Sequence, residues 1–190
     1  IKIYHFNGAT CVPLQTIQTN DTIFALEFGD FNHDNLDELV VICSAADSSF
    51  AKAKIYHQNG DTLVFWKEIN LNKKQIKSAR VADIFQDGFL DIVVISDNPL
   101  PGISIANLAD TLMAPTFINL NQNSYTEFVV GDFNSDSYPD IIALINGVDS
   151  AAIYRNNQEG QMIYDSLFYT ICGAAIPKYH SAAAFNCNNI

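Results

Sequence analysis

The chain has 190 residues, a formal net charge of −11, and hydrophobic and aromatic fractions of 48% and 12%. Its apolar fraction is large enough for a packed core, which excludes a disordered chain. The excess of acids argues against nucleic acid or an anionic membrane surface as a partner. No run of 18 apolar residues is present, so the sequence predicts no transmembrane helix.

Short runs rich in Val, Ile, Phe and Tyr, separated by Asn, Asp and Gly, predict β-strands along the whole chain. Two runs come first, at residues 1–6 and 13–18, and three groups of four runs follow. The groups are 23–30, 38–43, 52–57 and 62–69; then 78–83, 91–96, 102–106 and 116–120; then 127–132, 140–145, 151–156 and 161–169. Residues 70–79 are the one segment whose composition favours a helix.

One acidic motif recurs in these groups with a period of about 50 residues. Its copies begin at Asp30, Asp83 and Asp132, and a fourth copy at residues 183–190 has lost its acids. A unit of this length is one supersecondary module that buries its faces against its neighbours. The second strand of each group is apolar on both faces and must therefore be covered on both. Repeated four-stranded antiparallel sheets of this kind predict an all-β fold made of β-propeller blades.

The predicted organisation is a single partial β-propeller over residues 1–190. Outer strands of a preceding blade occupy 1–20, and a further blade begins at 176–190. The complete blades are expected at 21–70, 71–121 and 122–175. Because an open arc of three and a half to four blades would leave bare sheet edges, we expect a segment of a longer chain or assembly.

Numbered from its first acid, the motif has Asp at position 1, Asn at 3, Asp at 5, a backbone carbonyl at 7 and an acid at 9. The third copy supplies these as Asp132, Asn134, Asp136, Tyr138 and Asp140. Alternate residues in a tight turn can direct oxygens inward, and Ca²⁺ takes six to eight oxygen ligands. Recurrence in register favours a calcium site over solubilising charge, and no His or Cys recurs to suggest zinc. Position 12 is apolar rather than Glu, which excludes an EF-hand.

The copies are unequal as ligand sets. The first copy offers Asp30, Asn32, Asp34, the carbonyl of Leu36, and Glu38. Glu38 is one carbon longer than Asp, so we expect binding with altered geometry. The second copy keeps Asp83, Asp87 and Asp91 but has Phe85 at position 3, so we expect weak binding or none. The fourth copy is expected to be empty.

The run Phe128–Asp136 followed by Asp140–Ile142, together with Phe28–Asp30 in the first copy, resembles the FG-GAP or VCBS repeat. This repeat builds the propeller of integrin α-subunits and of many secreted or cell-surface proteins. The resemblance spans essentially the whole chain. It implies a β-propeller, often seven-bladed, that binds calcium between the first two strands of a blade. It also implies adhesion or assembly contacts with protein partners.

We therefore expect a binding scaffold at the cell surface or outside the cell rather than an enzyme, because no nucleophile-elbow, zinc-protease or P-loop motif is present. Two alternatives stay open: an intracellular propeller scaffold, and a non-catalytic appendage of a carbohydrate-active enzyme.

The four cysteines (Cys11, Cys43, Cys172 and Cys187) are too few for a disulfide scaffold. A basic cluster predicts a solvated connector between blades; its members are Lys67, Lys73, Lys74, Lys77 and Arg80. One glycosylation sequon, at Asn20, shifts the balance slightly toward secretion.

Overall fold

The structure, a computed structural model, describes residues 1–45, 50–98, 100–108, 116–120, 123–147, 150–158 and 161–169. The predicted start of a further blade at 176–190 and the fourth motif copy lie outside these residues. The described residues form β-strands joined by turns, and among them no helix is long and apolar enough to cross a membrane.

In chain order, the described strands are β1 (Lys2–Phe6), β2 (Cys11–Thr16), β3 (Thr22–Gly29), β4 (Glu38–Ser44), β5 (Lys52–Asn59), β6 (Thr62–Asn70), β7 (Lys74–Ala82), β8 (Asp91–Asn98), β9 (Gly102–Asn107), β10 (Thr116–Leu120), β11 (Tyr125–Gly131), β12 (Asp140–Ile145), β13 (Ser150–Asn156) and β14 (Met162–Tyr169).

These strands build one two-stranded sheet, β1-β2, and three four-stranded sheets, β3-β4-β5-β6, β7-β8-β9-β10 and β11-β12-β13-β14. Every described strand pair is antiparallel. The prediction of an all-β chain with four-stranded antiparallel sheets is confirmed. The number of blades and the closure of a ring stay predictions.

The expected helical character of residues 70–79 is wrong, because β7 begins at Lys74. Ile76 and Ser78 are buried while their neighbours Gln75 and Lys77 are exposed, which is the period of a strand. Three members of the basic cluster, Lys74, Lys77 and Arg80, therefore lie on a strand rather than in a connector, and Lys77 pairs with Asp97 on β8 at 2.7 Å.

The chain divides into two compact units, residues 1–72 and 73–190. In the first unit β4 is buried on both faces, as its continuous apolar sequence predicts. Leu39, Val41 and Cys43 of β4 pack with Ile17, and Ile1 and Ile3 lie against this cluster. The side chain of Gln15 also accepts from and donates to the backbone of Leu63, at 2.7 and 2.8 Å, which joins β2 to β6.

In the second unit the β7–β10 and β11–β14 sheets share one hydrophobic core. Ile95 and Ile105 of the former pack in the same cluster as Phe128 and Ile141 of the latter, together with Ile84 from the connection between β7 and β8. Each sheet therefore buries one face against the next, as expected for stacked repeats.

Polar groups reinforce the contact between these two sheets. Ser78 donates to a carboxylate oxygen of Glu127, and the Arg80 guanidinium lies 3.3 Å from that oxygen. The Asn156 side chain is buried, and its Nδ2 donates to the Ile84 carbonyl at 2.6 Å. Because Ile84 is itself buried, its carbonyl has lost the water that would otherwise bond to it.

We predict that Asn156→Ala lowers the free energy of unfolding by about 1–3 kcal/mol, because it removes the donor to a buried carbonyl. Asn146→Ala is the matched control, since the Asn146 side chain is exposed and lies 3.5 Å from its partner, Ser124. The control should stay within about 0.5 kcal/mol of the unmutated protein. Urea melts measure both variants, and equal midpoints for the two would refute the role of Asn156.

Candidate metal-binding loops

Three loops join the first and second strands of the four-stranded sheets. Loop one is residues 30–38, loop two is 83–91 and loop three is 132–140. In each loop the position 1 carboxylate accepts two backbone N–H groups, from positions 5 and 6. The acceptors are Asp30, Asp83 and Asp132, and the six N···O distances lie between 2.8 and 3.2 Å.

The carboxylate at position 5 likewise accepts a backbone N–H, from the next turn of the loop. The carboxylates of Asp34, Asp87 and Asp136 each accept the N–H of position 7, at 2.8, 3.0 and 2.9 Å. Short polar side chains commonly close turns in this way, and here two of them act in series. The loops therefore fold around their own acidic side chains.

Position 3 separates loop two from the others. Asn32 and Asn134 each accept the N–H of position 5 through Oδ1, at 2.8 and 2.9 Å. Phe85 occupies this position in loop two, and its ring packs against the core of the second unit. One loop oxygen has thus been exchanged for a hydrophobic contact.

The backbone at positions 4 and 6 is left-handed in all three loops. The φ angles are 61° and 68° at His33 and Asn35, 51° and 88° at Gln86 and Gly88, and 63° and 74° at Ser135 and Ser137. Most of these residues are not glycine, so each carries a conformational cost of about 1–2 kcal/mol. The hydrogen bonds to positions 1 and 5 offset this cost.

The position 9 carboxylate is buried in every loop, whereas the acids at positions 1 and 5 are more open to solvent. Glu38, Asp91 and Asp140 are at most 1% exposed and stand at the start of the second strand. Each accepts the N–H of position 2, at 2.8, 2.9 and 3.3 Å respectively. The acid thereby fixes the loop to the strand that follows it.

In loops two and three this carboxylate also reaches the end of the third strand. Asp91 accepts the N–H of Leu108 at 3.2 Å, and Asp140 accepts the N–H of Asn156 at 3.0 Å. In loop one, Glu38 instead takes a hydrogen bond from Nδ2 of Asn32, at 2.9 Å. Glu38 thus contacts the position 3 amide, and the expectation of calcium binding with altered geometry stays a prediction.

Burial raises the pKa of all three position 9 carboxyl groups, and the amide donors only partly oppose it. The pKa of Asp91 rises to about 7. For Glu38 and Asp140 the acids at positions 1 and 5 raise the pKa further. In contrast, the amide N–H of Tyr138 holds the pKa of Asp136 below its usual value. The ionised form of the position 9 acid is therefore costly unless a positive charge lies nearby.

The donor chemistry of loops one and three fits a hard cation, since every candidate side-chain ligand there is an oxygen donor. Within the described residues no group of three or more His, Cys, Asp or Glu side chains stands ready to hold a metal ion. The position 3 amides donate hydrogen bonds to candidate ligand oxygens. Nδ2 of Asn134 donates to Asp136 Oδ2 at 3.0 Å, and Nδ2 of Asn32 donates to Glu38 at 2.9 Å. The predicted ligand sets stay predictions.

Sequence reasoning missed the buried Asn156 and the contact of the position 9 acid with the third strand. Asn156 follows Asp140 by 16 residues and lies at the end of β13. The only sequence signal is a polar residue that closes an apolar strand.

Comparison with known proteins finds a family match for part of the chain. Residues 30–94, which span loops one and two, match the model of the FG-GAP-like repeat family. The recognition of this repeat from its motifs is confirmed for residues 30–94. The sequence matches none of the curated proteins.

We predict that Gly88→Ala lowers the free energy of unfolding by about 1 kcal/mol or more, because Gly88 has a φ of 88° and a Cβ there would touch nothing that compensates. Gly88→Asn is the matched control, since Asn35 takes this position in loop one and Asn tolerates a left-handed backbone. The Asn variant should lose clearly less stability in thermal melts. Equal losses would contradict the assignment of backbone strain.

A second prediction concerns pH. Because the folded-state pKa of Asp91 lies above its unfolded value, its contribution favours folding below about pH 4 and is lost as pH rises to about 7. In calcium-free buffer, the stability of the unmutated protein relative to Asp91→Asn should therefore fall by at least about 1 kcal/mol between these limits. Urea melts across this range measure the difference. A difference that does not change with pH would show that folding does not raise the pKa of Asp91.

Proposed function

We propose that this chain is a propeller-like repeat scaffold that binds protein partners at the cell surface or outside the cell, and that calcium fixes its first and third loops. One observation carries the calcium part. Two separate sheets present the same oxygen-rich loop, closed at positions 1 and 5 by carboxylates and ending on a buried acid. The family match supports a propeller-like repeat domain.

In loop three the ion would be held by Asp132, Asn134, Asp136, the carbonyl of Tyr138, and Asp140. In loop one the corresponding set is Asp30, Asn32, Asp34, the carbonyl of Leu36, and Glu38. A bound cation would compensate the closely spaced carboxylates. Rotation of the position 3 amide would free the carboxylate oxygen that it now contacts.

The electrostatics of both loops support this proposal. The position 9 acids of loops one and three have raised pKa values because they are buried and because Asp30 and Asp34, or Asp132 and Asp136, lie near them. A divalent cation favours the ionised form of every one of these groups. Loop two lacks the position 3 oxygen and is expected to bind weakly or not at all.

The proposed role is structural rather than catalytic. The loop carboxylates accept backbone N–H groups along the entire turn, so they hold the loop in shape. A rigid loop at the end of a sheet presents its exposed residues in a fixed arrangement, which lowers the entropic cost of binding a partner.

An intracellular scaffold is the second candidate, and the cysteines favour it. Cys11 is an exposed free thiol and Cys43 is a buried free thiol, with no disulfide in the described part of the chain. Exposed thiols persist more readily in a reducing compartment. Calcium affinity separates the two candidates, because extracellular modules bind at about 10⁻⁴–10⁻³ M whereas cytosolic sensors bind at about 10⁻⁷–10⁻⁵ M.

We predict two calcium sites by isothermal titration calorimetry on the metal-free protein. Asp34→Ala should remove one site and Asp136→Ala the other. Calcium at about one hundred times its Kd should stabilise the protein by about 2.7 kcal/mol per site, measured as a rise in Tm.

Two controls accompany this titration. Asp61→Ala removes an exposed acid from the β5–β6 turn, and Asp87→Ala removes the matching acid of loop two; both should keep two sites. No heat of binding and no change in Tm would refute the calcium proposal. Loss of a site in Asp61→Ala would show that general negative charge, and not the loops, attracts the ion.

A further inference from the structure

An open cavity of about 360 Å³ lies on the second unit, beside loop three and against β13 and β14. Its walls carry Asn134 and Asp136 from loop three, Arg155 from β13, Gln158 from the turn after β13, and Tyr164 and Asp165 from β14. Asn134 and Asp136 also belong to the candidate calcium ligand set of loop three. The other four residues, Arg155, Gln158, Tyr164 and Asp165, belong to no such set.

Arg155 is the one cationic residue in the described wall of the cavity. Its Nε donates to Asp165 Oδ2 at 2.6 Å, and its charge also lowers the pKa of Asp136. The guanidinium therefore pairs with Asp165 and shares the cavity wall with a second carboxylate, that of Asp136. No acceptor within the described residues takes the N–H groups of its two Nη atoms. The Arg155 side chain is 51% exposed, so its planar fork can reach a ligand in the cavity.

Tyr164 supplies an aromatic surface beside this fork. Its side chain is 44% exposed, and its ring meets that of the buried Tyr154 edge to face, with centroids 5.7 Å apart. The contact holds one edge of the Tyr164 ring in place. Ile163, 50% exposed, adds a second apolar group to the same wall.

The amide side chains complete the polar wall. Gln158 donates to Asp136 Oδ2 at 3.3 Å, and the backbone N–H of Gln158 donates to Asn156 Oδ1 at 3.2 Å. Gln158 is thus anchored at its backbone while its amide faces Asp136. Amide and carboxylate groups together present both donors and acceptors on planar side chains.

The charge balance selects the ligand class. Two carboxylates against one guanidinium disfavour an anion, because the like charges would repel it. Arg155 already supplies the positive charge between the acids, so a cationic ligand gains little there. A neutral ligand with adjacent hydroxyl groups suits the wall best, since each hydroxyl both donates and accepts and its C–H face can pack on an aromatic ring.

We propose that this cavity binds one neutral pyranose ring, with adjacent hydroxyls on Arg155 and Asp165 and the C–H face on Tyr164. The volume lies at the low end of the range for small-molecule sites, which suits one ring rather than a longer chain. This site goes beyond the proposed calcium-stapled scaffold and needs no metal.

The test is an NMR titration of the ¹⁵N-labelled chain with methyl glycosides of glucose, mannose, galactose and fucose, each up to its solubility limit. Chelator is present throughout, so that the outcome does not depend on the calcium proposal. At least one glycoside should shift the amide signals of residues 155–158 and 163–165. No shift there with any of the four would overturn the proposal.

Variants assign the contacts. Tyr164→Ala and Arg155→Lys should each weaken binding by at least about tenfold, because one removes the aromatic surface and the other the planar fork. Phe65→Ala is the control, since Phe65 is a similarly exposed aromatic residue on β6 and outside the cavity wall. Equal weakening by Phe65→Ala, or unchanged binding in both cavity variants, would overturn the proposal.

A second arm identifies the source of the sugar. The glycoside that binds is compared with an oligosaccharide that ends in the same residue. Equal affinities would identify the terminal residue of a glycan as the ligand, whereas binding of the glycoside alone would identify a free sugar. Both outcomes support the pyranose site.

Discussion

A carboxylate buried at the first residue of the second strand organises each repeat of this protein. It accepts an N–H from the loop that precedes it, and in loops two and three it also accepts an N–H from the end of the third strand. One side chain thereby connects a loop and two strands in the interior. Because a buried acceptor that loses its donors costs about 1–3 kcal/mol, the loop cannot change shape without a penalty in the core.

The rest of each loop is arranged around this anchor. The carboxylates at positions 1 and 5 accept hydrogen bonds from a series of backbone N–H groups. The left-handed residues at positions 4 and 6 turn those groups inward. The arrangement leaves several acids close together beside a carboxyl group whose pKa is raised. Such a loop is stable as a turn, and it has the oxygen donors that a calcium ion would use.

Loop two differs from the other loops because its position 3 side chain packs against the hydrophobic core. Phe85 packs into the shared cluster of the second unit, and the oxygen that Asn supplies in the other loops is absent there. Loop one keeps that oxygen but substitutes Glu38, whose extra length turns it toward Asn32. Repetition has therefore preserved the turn in all three loops, while the predicted capacity for calcium varies with the residues at positions 3 and 9.

The sequence alone was sufficient for the all-β fold, the four-stranded grouping and the place of each loop, because strand periodicity and an acidic motif are local patterns. Its one helical expectation, at residues 70–79, was wrong. The polar composition of that segment conceals a strand whose alternate residues, such as Ile76, are buried by their neighbours.

The position 9 acids were found from spacing, but their burial and their bonds to Leu108 and Asn156 were not. These partners lie 16 or 17 residues away, and only the pairing of the second and third strands brings them together. The same holds for the cavity at Arg155 and Tyr164, which depends on how a hairpin end meets loop three. Local residue patterns determined the elements and the turns, whereas tertiary packing decided which acids lost their water and which side chains came to share a wall.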